Sequence, residues 1–184
     1  GGVNQFSGVP HNGTSDGGDN ILNASPWSVL TYNDATATHG LSSGSSSNAD
    51  CLENLGASDI AAAQFLYGLI LETNSDDTTY RFGYHMLRGY QTIWDIGGVD
   101  KIDASGSGQS VYIDLRNATL ENEIGGGGFI SKPNYCYIGE LIAYNSTGDA
   151  VIENAAGSAN SDFIQGNEVD NALAKGVNII ILSD

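Results

Sequence analysis

The chain has 184 residues and a mass of 19.2 kDa, which suits one domain. Acidic side chains number 22 against 6 basic ones, so the formal net charge is −16. This balance excludes a nucleic-acid-binding protein and disfavours attachment to an anionic membrane, because both need a basic surface. No apolar run is long enough for a membrane-spanning helix, and we expect any secretion signal to lie outside this sequence.

The composition is that of a folded, acidic, glycine-rich protein. Hydrophobic residues make up 40%, charged residues only 15%, and glycine contributes 25 residues, which excludes a disordered acidic tail. Most carboxylates lack a basic partner and would repel one another in the folded state unless a divalent cation neutralised them. Asp, Asn and Gly are also typical of calcium-binding loops. The composition therefore indicates an extracellular, calcium-dependent β protein, and a surface adapted to salt or cold is the open alternative.

The N-terminal part is predicted to be loop-rich, with loop over 1–26, a buried turn or strand over 27–32, and a flexible serine-rich loop over 40–50. The clearest helix is predicted over 58–68. Ser58 is a natural N-cap, Asp59 suits the positive end of the helix dipole, and Gly68 is a plausible residue just past the last turn.

Short β segments are predicted after the helix, at about 91–95, 110–115, 128–131, 137–144, 150–153, 163–165 and 177–182. Apolar and polar residues alternate over 111–115, as in a half-buried strand. The expected fold class is mainly β with one clear α-helix, as a calcium-stabilised β-sandwich or short degenerate β-roll. A single domain is expected, with a loop-rich part over 1–57, the helix over 58–70 and a calcium-binding β body over 71–184.

Three loop segments contain oxygen-bearing side chains that suit a hard cation. In 94–100, two carboxylates flank a Gly-Gly pair, which lets carbonyl and carboxylate oxygens converge. The segment 74–78 places Asn, Ser, Asp and Thr side chains together, and 157–167 resembles one degenerate turn of a nonapeptide calcium repeat, with Asp162 at the acidic and Ile164 at the apolar position. Solvated turn residues are the alternative interpretation of the first two segments.

Other candidates carry weaker signals. Cys51 and Cys136 lack zinc-site spacing and are compatible either with a disulfide or with two buried thiols. The Gly run 125–128 precedes a predicted strand rather than a helix, which disfavours a phosphate cradle. Tyr135 and Tyr137 suit either a binding groove or packing on a sheet.

Several motifs occur in the order found in one protease family. Leu30-Thr31-Tyr32 stands where that family has Met-Ser-Tyr, and 59–68 resembles its helix D-I-A-A-I-Q-x-L-Y-G. The segments 77–82, 92–103 and 152–155 resemble D-T-V-Y-G-F, T-V-W-D-A-G-G-N-D-T-L-D and V-E-N-A. Over roughly residues 27 to 173 the chain thus resembles the serralysins, secreted bacterial zinc proteases with an attached calcium-bound β-roll.

The catalytic signature of the serralysins is absent. Their zinc site is H-E-x-x-H-x-x-G-x-x-H, whereas the histidines here are His11, His39 and His85, which cannot share one helical face. Without the glutamate and the histidine pair there is neither a general base nor a zinc-bound water. We therefore expect no enzymatic activity.

Calcium ligands are implied by the resemblance. A first Ca²⁺ would be held by Asn74, Asp76, Thr78, Asp95, Gly97 and Asp100. A second would share Asp100 and take Gly98, Val151 and Glu153, with Val151 acting through its carbonyl. Asp162 is a further candidate in the degenerate repeat.

The resemblance without the zinc helix implies a calcium-dependent ligand-binding module, as found in large repeat-containing (RTX) adhesins of Gram-negative bacteria. The expected partner is a peptide or a protein chain end on another cell surface, with Asp77, Tyr135 and Tyr137 at the rim. Such a domain is expected to be a monomeric, extracellular module within a longer chain, without nucleic-acid or membrane partners. The alternatives are the C-terminal fragment of an active serralysin-like protease and a purely structural spacer.

Overall fold

The computed structural model describes residues 18, 20, 22–31, 52–68, 74–81, 89–133, 139–142, 151–174 and 179–182. Within these ranges there is one helix, α1 (Ala57–Tyr67), followed by ten short strands. The strands are β1 (Thr79–Arg81), β2 (Tyr90–Ile93), β3 (Lys101–Asp103), β4 (Val111–Asp114), β5 (Lys132–Pro133), β6 (Gly139–Ile142), β7 (Asn154–Ala156), β8 (Asp162–Gln165), β9 (Ala172–Ala174) and β10 (Ile179–Leu182). The predicted class, mainly β with one helix, is confirmed.

The strands form two four-stranded sheets and one pair. Sheet I has the order β1-β3-β7-β9 and is parallel throughout. Sheet II has the order β10-β8-β4-β5, in which only the β4–β5 pairing is antiparallel. The remaining pair, β2 and β6, is also parallel. Successive strands β3/β4, β7/β8 and β9/β10 alternate between sheets I and II, which is the winding of a short β-roll.

The two sheets share one apolar core. In sheet I, Ile102 pairs with Ala155, and in sheet II, Ile113 pairs with Ile164. All four side chains are buried and belong to the same cluster. Stacking apolar residues on successive turns buries the inward faces of β3, β4, β7 and β8, so even three-residue strands are held in register. The apolar position assigned to Ile164 is therefore confirmed.

Asparagine amides tie successive turns of the roll together. Asn154 donates to the Asp100 carbonyl (3.1 Å), while its own side-chain oxygen accepts from the Ala172 N–H (3.1 Å). Asn167 donates to the carbonyls of Leu115 (3.1 Å) and Ile152 (3.0 Å). These bonds satisfy backbone groups at the corners of the roll, where the strands end.

The helix starts one residue before the predicted position, and its cap differs. Gly56 occupies the N-cap position, and its N–H donates to the Asp59 carboxylate (2.9 Å). Ser58, predicted as the N-cap, is a buried residue of the first turn, so that prediction was wrong. A Cβ at Gly56 would lie 2.1 Å from the Trp27 carbonyl oxygen, so this tight approach selects glycine. Gly68 ends the helix with φ +85°, as predicted.

Two predicted strands are misplaced, and three strands of the structure were not predicted. The predicted strand 128–131 is irregular except for an isolated bridge at its end, and regular pairing begins only at β5. The predicted strand 150–153 precedes β7, which begins at Asn154. The strands β1, β3 and β9 were not predicted, because three residues are too few to show an alternating pattern.

Candidate functional site

The loops that enter sheet I bring most predicted calcium ligands to one end of the roll. Strands β1, β3 and β7 are adjacent and parallel. The segments that precede them, 74–78, 94–100 and 151–153, therefore lie at the same end of sheet I, where the strands begin. Side chains far apart in sequence thereby meet at the point where these strands begin. We call this region the acidic junction.

Asp100 is the centre of the acidic junction. Asp100 is only 1% exposed. Its Oδ1 accepts a hydrogen bond from the Thr78 N–H (2.7 Å), and its backbone N–H donates one to Glu153 Oε2 (2.7 Å). The second carboxylate oxygen, Oδ2, is buried and has no hydrogen-bond partner. A buried, unpartnered carboxylate oxygen is costly unless a cation or proton meets it.

Asp95 is the second buried carboxylate of the junction, also 1% exposed. Its Oδ2 accepts from the Tyr80 hydroxyl (2.5 Å) and its Oδ1 from the Gly97 N–H (3.2 Å). Asn74 donates its amide to the Tyr80 hydroxyl (3.2 Å) and to the Trp94 carbonyl (3.3 Å). The Asn74 side chain thus positions the tyrosine, which sequence reasoning did not single out.

The Gly-Gly pair brings two loops into contact. Gly98 has φ +111°, and a Cβ there would lie 2.7 Å from the Asp76 carbonyl carbon and 2.8 Å from its oxygen. The same Asp76 oxygen accepts from the Thr78 hydroxyl (2.9 Å). A side chain at position 98 would therefore push the 74–78 loop away from the junction.

Burial and the neighbouring negative charges both disfavour ionisation of the central carboxylate of the junction. The pKa of Asp100 is raised to about 6, first by burial and further by the charges of Asp95, Glu153 and Asp77, although the Thr78 N–H opposes the shift. Burial, and then Asp95, raises the pKa of the Tyr80 phenol. The ion pairs found among the described residues, Lys101–Asp103 and Arg116–Asp114, neutralise other carboxylates.

Sequence comparison shows that this chain is similar to bacterial metalloproteases of the serralysin type. A serralysin of Proteus mirabilis is 31% identical over 186 residues, which cover 90% of the chain and 34% of the relative. The metallopeptidase AprA of Pseudomonas marginalis and serralysin G of Dickeya chrysanthemi are 33% and 34% identical over 127 residues, or 62% of the chain and 24% of each relative. No family model matches.

The chain is homologous to the C-terminal part of the serralysins. It spans about a third of the Proteus relative and about a quarter of the other two. No helix in the described part of the chain is long and apolar enough to cross a bilayer.

The acidic junction offers oxygen donors that suit a hard cation, although not through side chains alone. No group of three or more His, Cys, Asp or Glu side chains within the described ranges is arranged to hold a metal ion. A Ca²⁺ ion takes six to eight oxygens and accepts backbone carbonyls readily. The unpartnered Oδ2 of Asp100 and the glycine-enforced closeness of the Asp76 carbonyl suit such a mixed donor set. Val151, half-buried beside Glu153, would contribute only its carbonyl.

Asp162 lies outside the acidic junction, at the start of β8 in sheet II. Its Oδ1 accepts from the Val111 N–H (2.9 Å) and from the Ser158 hydroxyl (2.7 Å). Its Oδ2 is buried without a partner, and a Cβ at Gly157 would lie 2.5 Å from it. The structure therefore separates this predicted ligand from the others.

The residues predicted to contact a ligand are placed only in part. Asp77 is exposed, and its Oδ1 accepts from the Val99 N–H (2.9 Å), so it also ties the two loops together. Tyr135 and Tyr137 lie outside the described residues, as do both cysteines, all three histidines and Tyr32. Leu30, at the serralysin Met-turn position, is 83% exposed.

Proposed function

We propose that this chain is a non-catalytic, calcium-dependent module of a large secreted bacterial adhesin, and that it binds an extended peptide. The observation that supports it best is the acidic junction, where Asp95 and Asp100 are buried and one Asp100 oxygen has no partner. A calcium ion bound there would remove the repulsion and join the loops before β1, β3 and β7.

The absence of a zinc-binding motif supports a non-catalytic role. The three histidines of the sequence are separated by 28 and 46 residues, whereas the serralysin motif needs them on a single helix. The protease activity in the relatives' names belongs to longer proteins, of which the matched residues make up only 34% and 24%. Incubation with zinc, calcium and an unfolded protein substrate should leave the substrate intact.

A peptide carboxylate is the ligand group that the charge distribution favours. A chain of net charge −16 repels anions at long range, but a bound Ca²⁺ with an open position reverses the local field. A chain end from another cell surface then becomes a ligand for the cation, and extended main chain adds strand-like hydrogen bonds. Asp77, Tyr135 and Tyr137 are the proposed rim.

A peptide array probed in calcium and in chelator tests this function. We expect hits only in calcium, with loss of affinity when a hit peptide is amidated at its C-terminus. The variant Asp100→Asn should lose these hits, whereas Asp103→Asn, which removes the same charge from the far end of β3, should keep them. Binding that survives chelation, or that ignores both variants, would contradict a calcium-dependent module.

A serralysin-like protease fragment is the second candidate, favoured by the names of the relatives. It predicts chelator-sensitive cleavage once the chain is joined to a zinc-binding helix encoded upstream of Gly1. Intact substrate under those conditions would leave the binding module as the better account.

A further inference from the structure

A pocket of about 270 Å³ lies beside β4 on sheet II, away from the acidic junction. The side chains of Tyr112 and Asp114 alternate with those of Val111 and Ile113, which face the core. They therefore point to the outer face of the sheet. The pocket is slightly smaller than the roughly 300 Å³ at which small-molecule sites begin, so it suits a group the size of one amino-acid residue. Its lining includes Trp27, Tyr112, Asp114, Phe129, Ile130 and Lys132.

Gly125 and Gly128, the two ends of the glycine run 125–128, line this pocket, and the run packs closely against two of its aromatic rings. A Cβ at Gly125 would lie 2.0 Å from the Phe129 ring, and one at Gly127 would lie 2.7 Å from the Trp27 ring. Gly125 and Gly128 also have φ values of +94° and +110°. Glycine is thus required at 125 and 127 for two aromatic rings to approach the backbone, and at 125 and 128 the positive φ also favours it.

The acidic side chain of the pocket is already neutralised. Arg116 holds both oxygens of Asp114, with Nε–Oδ1 at 2.9 Å and Nη2–Oδ2 at 2.7 Å, and the Tyr112 hydroxyl donates to Oδ2 (3.0 Å). The Arg116 guanidinium lies 3.7 Å from the centre of the Phe129 ring. This network fixes the floor of the pocket and leaves Asp114 without spare charge.

Lys132 is the positively charged residue among those that line the pocket. It lies in β5, at the edge of sheet II, it is half-buried, and it forms no ion pair with any carboxylate of the described residues. Only 6 of the 184 residues are basic, so a lysine that lines a largely apolar pocket and has no acidic partner within the described ranges is a specific feature of this chain. An apolar cavity with one cation at its wall is complementary to an apolar group that bears a carboxylate.

We propose that this pocket binds one peptide residue through its apolar side chain and an adjacent carboxylate, with Lys132 pairing the carboxylate. The idea rests on the proposed peptide-binding function and adds a second contact point on sheet II, independent of the cation at sheet I. The carboxylate has two possible sources, the chain end or a neighbouring acidic side chain, and both present the same group to Lys132.

Fragment titration of the calcium-saturated protein, followed by amide chemical shifts in NMR, tests the site. The probes are N-acetyl-phenylalanine, its carboxamide, and N-acetyl-Phe-Asp-amide, which moves the carboxylate to a side chain. We expect the first acid to shift the amides of 125–128, and the carboxamide to bind about tenfold more weakly. Binding of the third probe at the same amides assigns the acidic side chain as a source, and its failure assigns the chain end.

Lys132→Gln should reduce the affinity of N-acetyl-phenylalanine to that of its carboxamide, and Lys132→Arg should restore it. Lys101→Gln is the matched control, because Lys101 is paired with Asp103 on sheet I and should not matter. Equal binding of acid and carboxamide, or chemical-shift changes that avoid 125–128, would overturn the proposed pocket. The proposed calcium-dependent peptide binding would still stand if the array peptides bound in calcium. Fragment binding that depends on Lys132 would stand even if the array showed no calcium-dependent hit.

Discussion

Replacing Asp100 by Asn should have opposite effects with and without calcium. The asparagine keeps the oxygen that accepts from the Thr78 N–H and removes the charge that faces Asp95 and Glu153. In chelator, the variant should therefore be more stable than the wild type at pH 7. The rise of the Asp100 pKa from 3.8 to about 6 corresponds to roughly 3 kcal/mol of relieved repulsion and desolvation.

In calcium the order should reverse, because the variant lacks a carboxylate ligand. A ligand at a thousandfold excess over its Kd stabilises the folded state by about 4 kcal/mol. For a domain of this size that corresponds to a rise in melting temperature of about 8–16 °C, which the wild type should show and the variant should largely lose. Asp103→Asn is the control and should retain the calcium response.

Thermal denaturation by circular dichroism in calcium and in chelator, for all three proteins, measures both effects. In chelator the wild type should also lose stability as the pH rises through about 6, because a carboxyl group with a raised folded pKa favours folding only while protonated. Asp100→Asn should lack that slope. An unchanged calcium response in the variant, or a calcium-free variant less stable than the wild type, would refute the role assigned to Asp100.

Three further changes test the packing of the roll and of the pocket floor. Gly98→Ala should cost about 1–3 kcal/mol, because of its positive φ and the adjacent loop backbone, whereas Gly108→Ala, with nothing within 4 Å, should be nearly neutral in urea denaturation. Ile113→Ala should cost about 2–5 kcal/mol by the same measurement, and a smaller loss would contradict the shared core. Burial, and then Asp114, raises the pKa of Tyr112 to about 12. Wild-type stability should therefore fall as the pH rises from about 10 towards about 12. Tyr112→Phe should lack that part of the fall when the stabilities of the two proteins are compared between about pH 9 and about pH 11.5. Parallel alkaline curves would show that the tyrosine is not coupled to the fold.

Local sequence signals predicted the helix and the longer strands to within a few residues. Alternation over Val111–Leu115 correctly placed Val111 and Ile113 in the core, but it did not reveal that Asp114 is also fully buried. That burial depends on Arg116, whose guanidinium meets both carboxylate oxygens. An ion pair between the last residue of a strand and a residue just beyond it produces no periodic pattern in the sequence, so only the folded structure reveals it.

The sequence by itself determined that the protein is acidic, mainly β and serralysin-like, because composition and ordered motifs are properties of the chain alone. The three-dimensional structure decided which acidic residues meet. Parallel pairing of β1, β3 and β7 brings Asp100 to Glu153 and the 74–78 loop, while Asp162 is placed on the other sheet. The tertiary structure also places Gly125 against Phe129 and Gly127 against Trp27, beside the pocket on sheet II. Contacts across tens of residues follow from strand order and register, which no local pattern encodes.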